Sequence, residues 1–594
     1  MSPIQPQFGT RGVVCASNRF AVAAGMAMLE SGGNAFDAAA AVAFVLQAVE
    51  PDQNGPGGET VAVFYAEKDR KVSVLCGQGV APDAASHSWF SKAGLDHIPG
   101  VGLLPAVTPG SLDSWLLLVR DYGILPLDTI LKPAIHYATN GFPLLPRTAA
   151  HIEKFQSRFR GEWRTTADIY LPGGRVPQPH QLFCNEDLGR TLSRIVSEAA
   201  SKSGERSELI EAARHVVAAG FICEAIDRFT DQEVVYDFRT RATSRGLVRG
   251  SDIARWRATI ESAVSYAYGR WTVFKPGPWS QGPVMLQQLA LLKHHDLDAI
   301  DVNGADFVHT VIETAKLAFA DKAAYYGDPE FSDVPLAHLL DDDYNARRAN
   351  LVCATASADF ACGEIPQHEA KAVLYRSIVE RLLAGPRPVR APQAEKCTVH
   401  FDVIDAAGNI VSATQSGGWF HDSPIIPSLG YPLGTRGQMF SLKTGSPNCI
   451  APRKRPLTTL SPTLAFRDRI PHLAFGTPGA DQQDQWSLIF FLRHAHGLNI
   501  AEANNAPLFH TRHLLRSFQP QQIVELAAYL EDTTTNEVVQ QLVSRGHRIQ
   551  LLPTVAPDLT APLTFGTLSA ASRDGPLMAA VGSSRWPGST AFAW

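Results

Sequence analysis

The sequence predicts an α+β chain in which a strand-rich part packs in layers with helices. Three observations carry this. Val399, Phe401 and Val403 alternate with polar residues ahead of a turn at Gly408-Asn409 and a second strand, residues 410–414, the pattern of a half-buried β-hairpin. Residues 21–29 and 37–49 are small and apolar nearly all round, as buried helices are. Strand patterns concentrate after residue 398 and helical ones dominate before it, and layering the two kinds hides the apolar faces of both.

The elements follow in chain order. A short strand from Val13 leads into the helix of residues 21–29, which Gly32-Gly33-Asn34 ends because glycine accepts the left-handed turn of a helix C-terminus. Asp37 opens the Ala-rich helix to Val49. Residues 51–59 form a turn-rich loop that feeds strands at 60–65 and 72–75. No GxxxxGK and no strand-bound GxGxxG occurs, so these glycines predict no nucleotide site. A helix opens at Ser111 and runs to Tyr122-Gly123, 150–255 reads as mainly helical with charged surfaces, 284–292 as a core helix, and Phe307 to Lys322 as another at helical spacing before Gly327-Asp328-Pro329. A Pro-rich run, residues 385–392, reads as a flexible tether into the hairpin.

Composition narrows the function. Of 594 residues, 45% are hydrophobic and 19% charged, the profile of an ordinary globular protein. Lys and Arg number 53 against 58 Asp and Glu, a net charge of −5 that argues against a nucleic-acid or anionic-membrane partner. The 8 cysteines are scattered without CxxC or a Cys/His cluster, so neither a disulfide framework nor a metal site is expected, and no cofactor is called for. The first residues lack a charged segment followed by an apolar core, and the apolar run 38–49 is too short to span a bilayer, so the expected location is cytoplasmic.

The chemistry centres on Thr398, at the join of tether and hairpin. A cut between Cys397 and Thr398 would leave Thr398 with a hydroxyl and a free α-amine. An α-amine of pKa near ~8 can take the proton of its own side-chain hydroxyl, which is the chemistry of an N-terminal nucleophile hydrolase.

From this point the chain resembles the small subunit of the γ-glutamyltranspeptidase family, where a Thr-Thr-His-aromatic run opens a strand ending in Gly-Asn. Here the run is Thr398-Val399-His400-Phe401, with Gly408-Asn409 after it. Upstream, Gly32 to Ala38 is similar to the family's Gly-Gly-Asn-Ala-x-Asp-Ala. Downstream, Pro456-Leu457-Thr458-Thr459-Leu460-Ser461-Pro462-Thr463 resembles Pro-Leu-Ser-Ser-Met-Ser-Pro-Thr. Gly476-Thr477-Pro478-Gly479-Ala480 resembles Gly-Ser-Pro-Gly-Gly, and the likeness runs on through Asn505-Ala506-Pro507. The resemblance implies a four-layer αββα N-terminal nucleophile fold. It also implies a precursor that cuts itself into a large subunit, 1–397, and a small one, 398–594, with association into a higher homo-oligomer left open.

It implies roles as well. Thr398 is the nucleophile, Ser416 the second hydroxyl that orients it, and the N–H groups of Gly479 and Ala480 the oxyanion donors, which need no particular side chain. Thr458 and Thr459 keep the hydroxyl pair that meets the substrate carboxylate, and Gln438 keeps an amide of the head-group pocket. Three anchors depart from the family: Gln78 replaces an Arg, Gly418 an Asn and Ser441 an Asp. Each lost charge-assisted partner is worth about 1.5–3 kcal/mol. Arg436 and Asp481 are the candidate replacement contacts. The segment from Ser441 to Pro456 is short, so the family's lid is expected to be missing. The expected activity is hydrolysis of a small-molecule amide with a non-standard acyl group. A γ-glutamyl substrate, as in a true γ-glutamyltransferase or glutathione hydrolase, is one alternative, and a catalytically silent binding or assembly subunit is another.

Overall fold

The computed structural model describes residues 4–237, 240–385, 397–554, 565–586 and 588–594. The tether predicted from the prolines falls on residues outside these, from 386 to 396.

Two seven-stranded sheets form the centre. In the first, every neighbouring pair is antiparallel and the order is Thr590–Ala593, Gly12–Ala16, Thr398–Asp405, Ile410–Ser416, Glu59–Ala66, Lys71–Gly77, Thr259–Ser262. The second runs Gln7–Gly9, Leu577–Val581, Ser569–Asp574, Ile470–Gly476, Thr463–Arg467, Trp271–Lys275, Val264–Tyr268. Both draw strands from each side of residue 398.

Helices cover the outer faces. On the first sheet lie Arg19–Glu30 and Ala35–Val49, whose buried side chains share one core with Val399, Phe401, Val403, Val411 and Ala413. Asn34 caps the second helix with Asp37 in a reciprocal capping box, so it begins two residues before the expected Asp37. Gly32, at φ +84°, makes the turn between them. On the second sheet lie Pro283–Leu292, Ala305–Tyr325 and Gln483–Ala495, packed on Val273, Ala465, Leu473 and Phe475. The second of these ends at Tyr325, ahead of Gly327-Asp328-Pro329 as its spacing predicts, and Asp328 accepts from Arg455. The order of layers is therefore αββα.

The hairpin is the element that matters most. Thr398 pairs with Ser416 and Ile404 with Ile410. Its turn is tied by Asp405, whose carboxylate accepts from the backbone of Gly408 at 2.9 Å and Asn409 at 3.0 Å, with Gly408 at φ +98°. The expectation of a half-buried strand needs correction, because Thr398–Asp405 is buried on both faces. Its polar face meets the second sheet, not water, and its side chains are satisfied there. Asp402 accepts from Ser412 at 2.7 Å, Ser569 at 3.0 Å and the His400 ring at 3.1 Å, while the other His400 nitrogen meets Thr414 at 2.8 Å. Among the described residues, no helix is long and apolar enough to cross a membrane.

Candidate active site

Thr398 heads its strand at the end of the inter-sheet gap and is buried. Its Oγ1 lies 3.1 Å from Ser416 Oγ, a contact set by the direct pairing of the two residues across the hairpin. Ser416 Oγ also donates to the Cys397 carbonyl at 2.8 Å, and Trp419 Nε1 lies 2.9 Å from the same oxygen. Burial, reinforced by Asp52, pushes the Cys397 thiol up to about 12, so it stays protonated and offers no competing thiolate.

Residues 51–59 wrap this junction. Gln53 O accepts from Trp419 Nε1 at 2.8 Å. The glycines here serve close approach and not a phosphate: a Cβ on Gly58 would sit 2.2 Å from Ser416 O, and one on Gly57 2.0 Å from Pro432 O. Gly418, where the family has Asn, sits at φ +66° with its Cβ direction 3.0 Å from Gly58 N, so a larger residue there would be strained.

The predicted oxyanion turn lies at the end of strand Ile470–Gly476, which faces Thr398–Asp405 across the gap. Gly479 is at φ +141° and Ala480 at φ +52°, an unusual conformation for alanine. Gln281 holds the turn. Its side chain donates to Ala480 O at 3.1 Å, its backbone N–H to Thr458 O at 2.9 Å, and its Oε1 accepts from Lys322 at 3.2 Å. One residue, through backbone and side chain, thus fastens the Thr458 main chain, the turn and a buried ammonium together. Thr458 and Thr459 are both buried. Lys275 fixes the segment after them through Ser461 O at 3.0 Å and Asp484 at 2.8 Å.

Both candidate charged contacts are engaged within the fold. Asp481 accepts from Lys322 at 3.0 Å and from Ser517 N at 3.0 Å. Burial raises its carboxyl, but Lys322 and Ser517 outweigh this and hold it below the ordinary range. Arg436 is buried and pairs through Nε and Nη2 with Glu59, the partner of Ser416 on the next strand. Its guanidinium lies 5.6 Å from the Trp419 ring and 5.8 Å from that of Phe518, which packs with Met439 and Ala480. Burial raises the Glu59 carboxyl against the pull of Arg436.

The remaining candidates are placed as follows. Gln438 donates to Thr435 O at 3.0 Å. Ser441 Oγ accepts from Lys443 N at 3.0 Å, in a compact turn that Lys454 pins through Pro447 O at 2.6 Å and Asn448 through Met439 O at 2.7 Å. Gln78 is fully buried and lines a cavity with Cys76, Trp256, Glu261 and Arg455. It follows Gly77, whose register runs through Thr60 and Gln415 to Val399, three strand spacings or roughly 14 Å from the nucleophile strand. Sequence reasoning missed Trp419, Gln281, Lys322 and Glu59. Trp419 follows the candidate Ser416 by three residues and Gln281 precedes the helix of residues 284–292, whereas the partners of Lys322 and Glu59 lie 159 and 377 residues away.

Among the described residues, His309, Glu313 and His547 have metal-ligating chemistry at close range. The two imidazoles meet each other at 2.8 Å and Glu313 pairs with Lys316 at 2.5 Å, so an ammonium already supplies the positive charge.

Comparison with known proteins settles the family. The sequence model described as Gamma-glutamyltranspeptidase matches residues 21–593. The chain belongs to the γ-glutamyltranspeptidase family. A solved structure named LmbA2991HD is 40% identical with a TM-score of 0.90, covering 100% of both chains. The cephalosporin acylase of Bacillus halodurans is 25% identical with a TM-score of 0.82, over 100% of this chain and 98% of that one. The Glutathione hydrolase-like YwrD proenzyme of Bacillus subtilis (strain 168) is 28% identical over 547 residues, 92% of each chain. Within the γ-glutamyltranspeptidase family this chain is an N-terminal-nucleophile-type amidohydrolase, as its hydrolase and acylase relatives are, and the fold expectation is met.

Proposed function

We propose that the chain matures by cleavage between Cys397 and Thr398 and then hydrolyses a small-molecule amide through an acyl-enzyme on Thr398 Oγ1. The observation that carries this reading is the contact of 3.1 Å between Thr398 Oγ1 and Ser416 Oγ, at the head of the strand facing the Gly479-Ala480 turn. After the cut, the Thr398 amine takes the hydroxyl proton as Oγ1 attacks the amide carbon. The oxyanion rests on the N–H groups of Gly479 and Ala480. The leaving amine departs with a proton, and water resolves the ester. The proenzyme naming of the relative YwrD supports a precursor cut into two subunits.

For the acyl group, the lack of a charged side chain at Gly418 and Ser441, the placement of Gln78 away from the nucleophile strand and the internal pairing of Arg436 and Asp481 favour one without an α-amine. A zwitterionic head group would be desolvated there without matched charges. The retained Gln438 and Thr458-Thr459 hydroxyls support the second reading, a glutathione hydrolase. Intact-mass analysis should show a fragment beginning at Thr398, and Thr398→Ala should give one uncut, inactive chain. Comparing kcat/KM for γ-glutamyl-p-nitroanilide and glutaryl-p-nitroanilide then reads the head group, since they differ only by the amine. A γ-glutamyl preference of about tenfold, ~1.4 kcal/mol, would select the glutathione-hydrolase reading.

A further inference from the structure

We infer that Trp419 is a catalytic residue of the self-cleavage step, its indole N–H and the Ser416 hydroxyl together forming the hole that receives the Cys397 carbonyl oxygen. This rests on the reading of Thr398 as a self-releasing nucleophile. Before the cut, the Thr398 nitrogen is an amide and cannot serve as the base that works afterwards, so cleavage needs its own machinery. Thr398 Oγ1 and the preceding carbonyl carbon are one bond short of a five-membered ring. What the protein must add is a place for the proton and for the charge.

The hydrogen bonds around Cys397 supply both. Ser416 has one hydroxyl hydrogen, and of its two contacts the shorter, 2.8 Å to the Cys397 carbonyl oxygen, is the one that Ser416 alone can donate. The 3.1 Å contact with Thr398 then has Thr398 as donor and Ser416 as acceptor. On attack, the Thr398 proton passes to Ser416 as the Oγ1–C bond forms and negative charge builds on the carbonyl oxygen, and the Ser416 proton then passes to that oxygen. Collapse breaks the C–N bond, with the proton going to nitrogen, and regenerates the carbonyl as an ester on Oγ1. Water cleaves the ester, leaving a carboxyl group on Cys397 and a free amine and hydroxyl on Thr398.

Trp419 is the second donor. A buried indole N–H needs one acceptor, and Gln53 O already provides it at 2.8 Å. The same N–H is nonetheless within 2.9 Å of the Cys397 oxygen, so it is shared between two carbonyls in the ground state. As negative charge grows on the Cys397 oxygen, the shared proton is drawn to it. That interaction strengthens only in the transition state, which is the condition for lowering a barrier. Trp419 is almost wholly buried, so this donor needs no reorganisation to act.

The test follows the full chain made in a cell-free system, with conversion of precursor to the Thr398 fragment timed by electrophoresis and intact mass. Trp419→Phe and a chain carrying 3-benzothienylalanine at position 419, which keeps the ring shape and lacks the N–H, should both convert about 10²-fold more slowly than wild type. Ser416→Ala should be slower still, having lost donor and relay together. Conversion of the benzothienylalanine chain at the wild-type rate would overturn the role of Trp419 even if Trp419→Phe fails to fold. A wild-type chain that never yields the Thr398 fragment would instead overturn the underlying reading.

Discussion

Lys322 offers a direct measure of how the oxyanion turn is held. Its ammonium is buried and donates to Asp481 at 3.0 Å, Gln281 at 3.2 Å and Ser517 at 2.6 Å. Lys322→Met keeps the stem and removes the charge. Asp481 then remains buried and keeps the hydrogen bonds from Ser517 without the ammonium, and breaking a buried pair from one side costs about 3–5 kcal/mol. The pH dependence has a defined sign. In the wild type the Asp481 carboxyl lies below its unfolded value, so its contribution to folding is complete above about pH 4 and is lost only as pH falls through the depressed value. In Lys322→Met burial is no longer outweighed, the carboxyl rises above its unfolded value, and the penalty grows as pH climbs from about 4 towards the raised value. The gap between variant and wild type should therefore widen from pH 4.5 to pH 7 in urea unfolding followed by tryptophan fluorescence. Adding Asp481→Asn should recover about 2 kcal/mol at pH 7 and flatten the profile. A pH-independent loss, or a double variant as weak as Lys322→Met, would refute this account of the turn.

Other predictions probe the inter-sheet gap and the turn after Ser441. Gly476→Ala would place a Cβ 2.4 Å from the buried His400 ring, so it should cost about 1–3 kcal/mol and slow formation of the Thr398 fragment, read by timed electrophoresis. Asp402→Ala should destabilise by about 3 kcal/mol or more by orphaning the donors of Ser412, Ser569 and His400, and Asp402→Asn by less because the two hydroxyls can rotate, both read by urea midpoint. Glycylglycine should change p-nitroaniline release little, because the pinned turn of residues 441–449 gives an acceptor few contacts; a large acceleration would contradict this.

Much of the layering was legible because it rests on local pattern. The alternation of Val399, Phe401 and Val403 and the apolar helices near the start place themselves against each other without long-range information. What escaped reading was the other face of the same strand. His400 and Asp402 look like solvent-facing residues by period, and only a second sheet supplying Ser569 makes them interior. Arg436 shows the same limit. A basic residue beside the pocket suggests a ligand contact, but Glu59 sits opposite Ser416 and takes its guanidinium, a pairing no spacing reveals. The glycines of residues 51–59 were visible as a loop, while their reason, backbone packed on backbone at Ser416 and Pro432, required the fold.

The order of strands in the first sheet has a consequence for how a cleaved chain would behave. Thr398–Asp405 lies between Gly12–Ala16 and Ile410–Ser416, and Thr590–Ala593 closes the edge beyond Gly12–Ala16. The two products of a cut before Thr398 would be interwoven, each filling slots in the other's ladder, and not two bodies meeting at a surface. Neither could leave without tearing the sheet, so their separation would be a global unfolding event with a rate and no simple dissociation constant. Re-forming the sheet from separated pieces would depend on their concentration, whereas the uncut chain folds at a rate that does not. The peptide bond before Thr398 would then be needed once, to assemble the sheet, and its loss would make the assembled state hard to regain after denaturation.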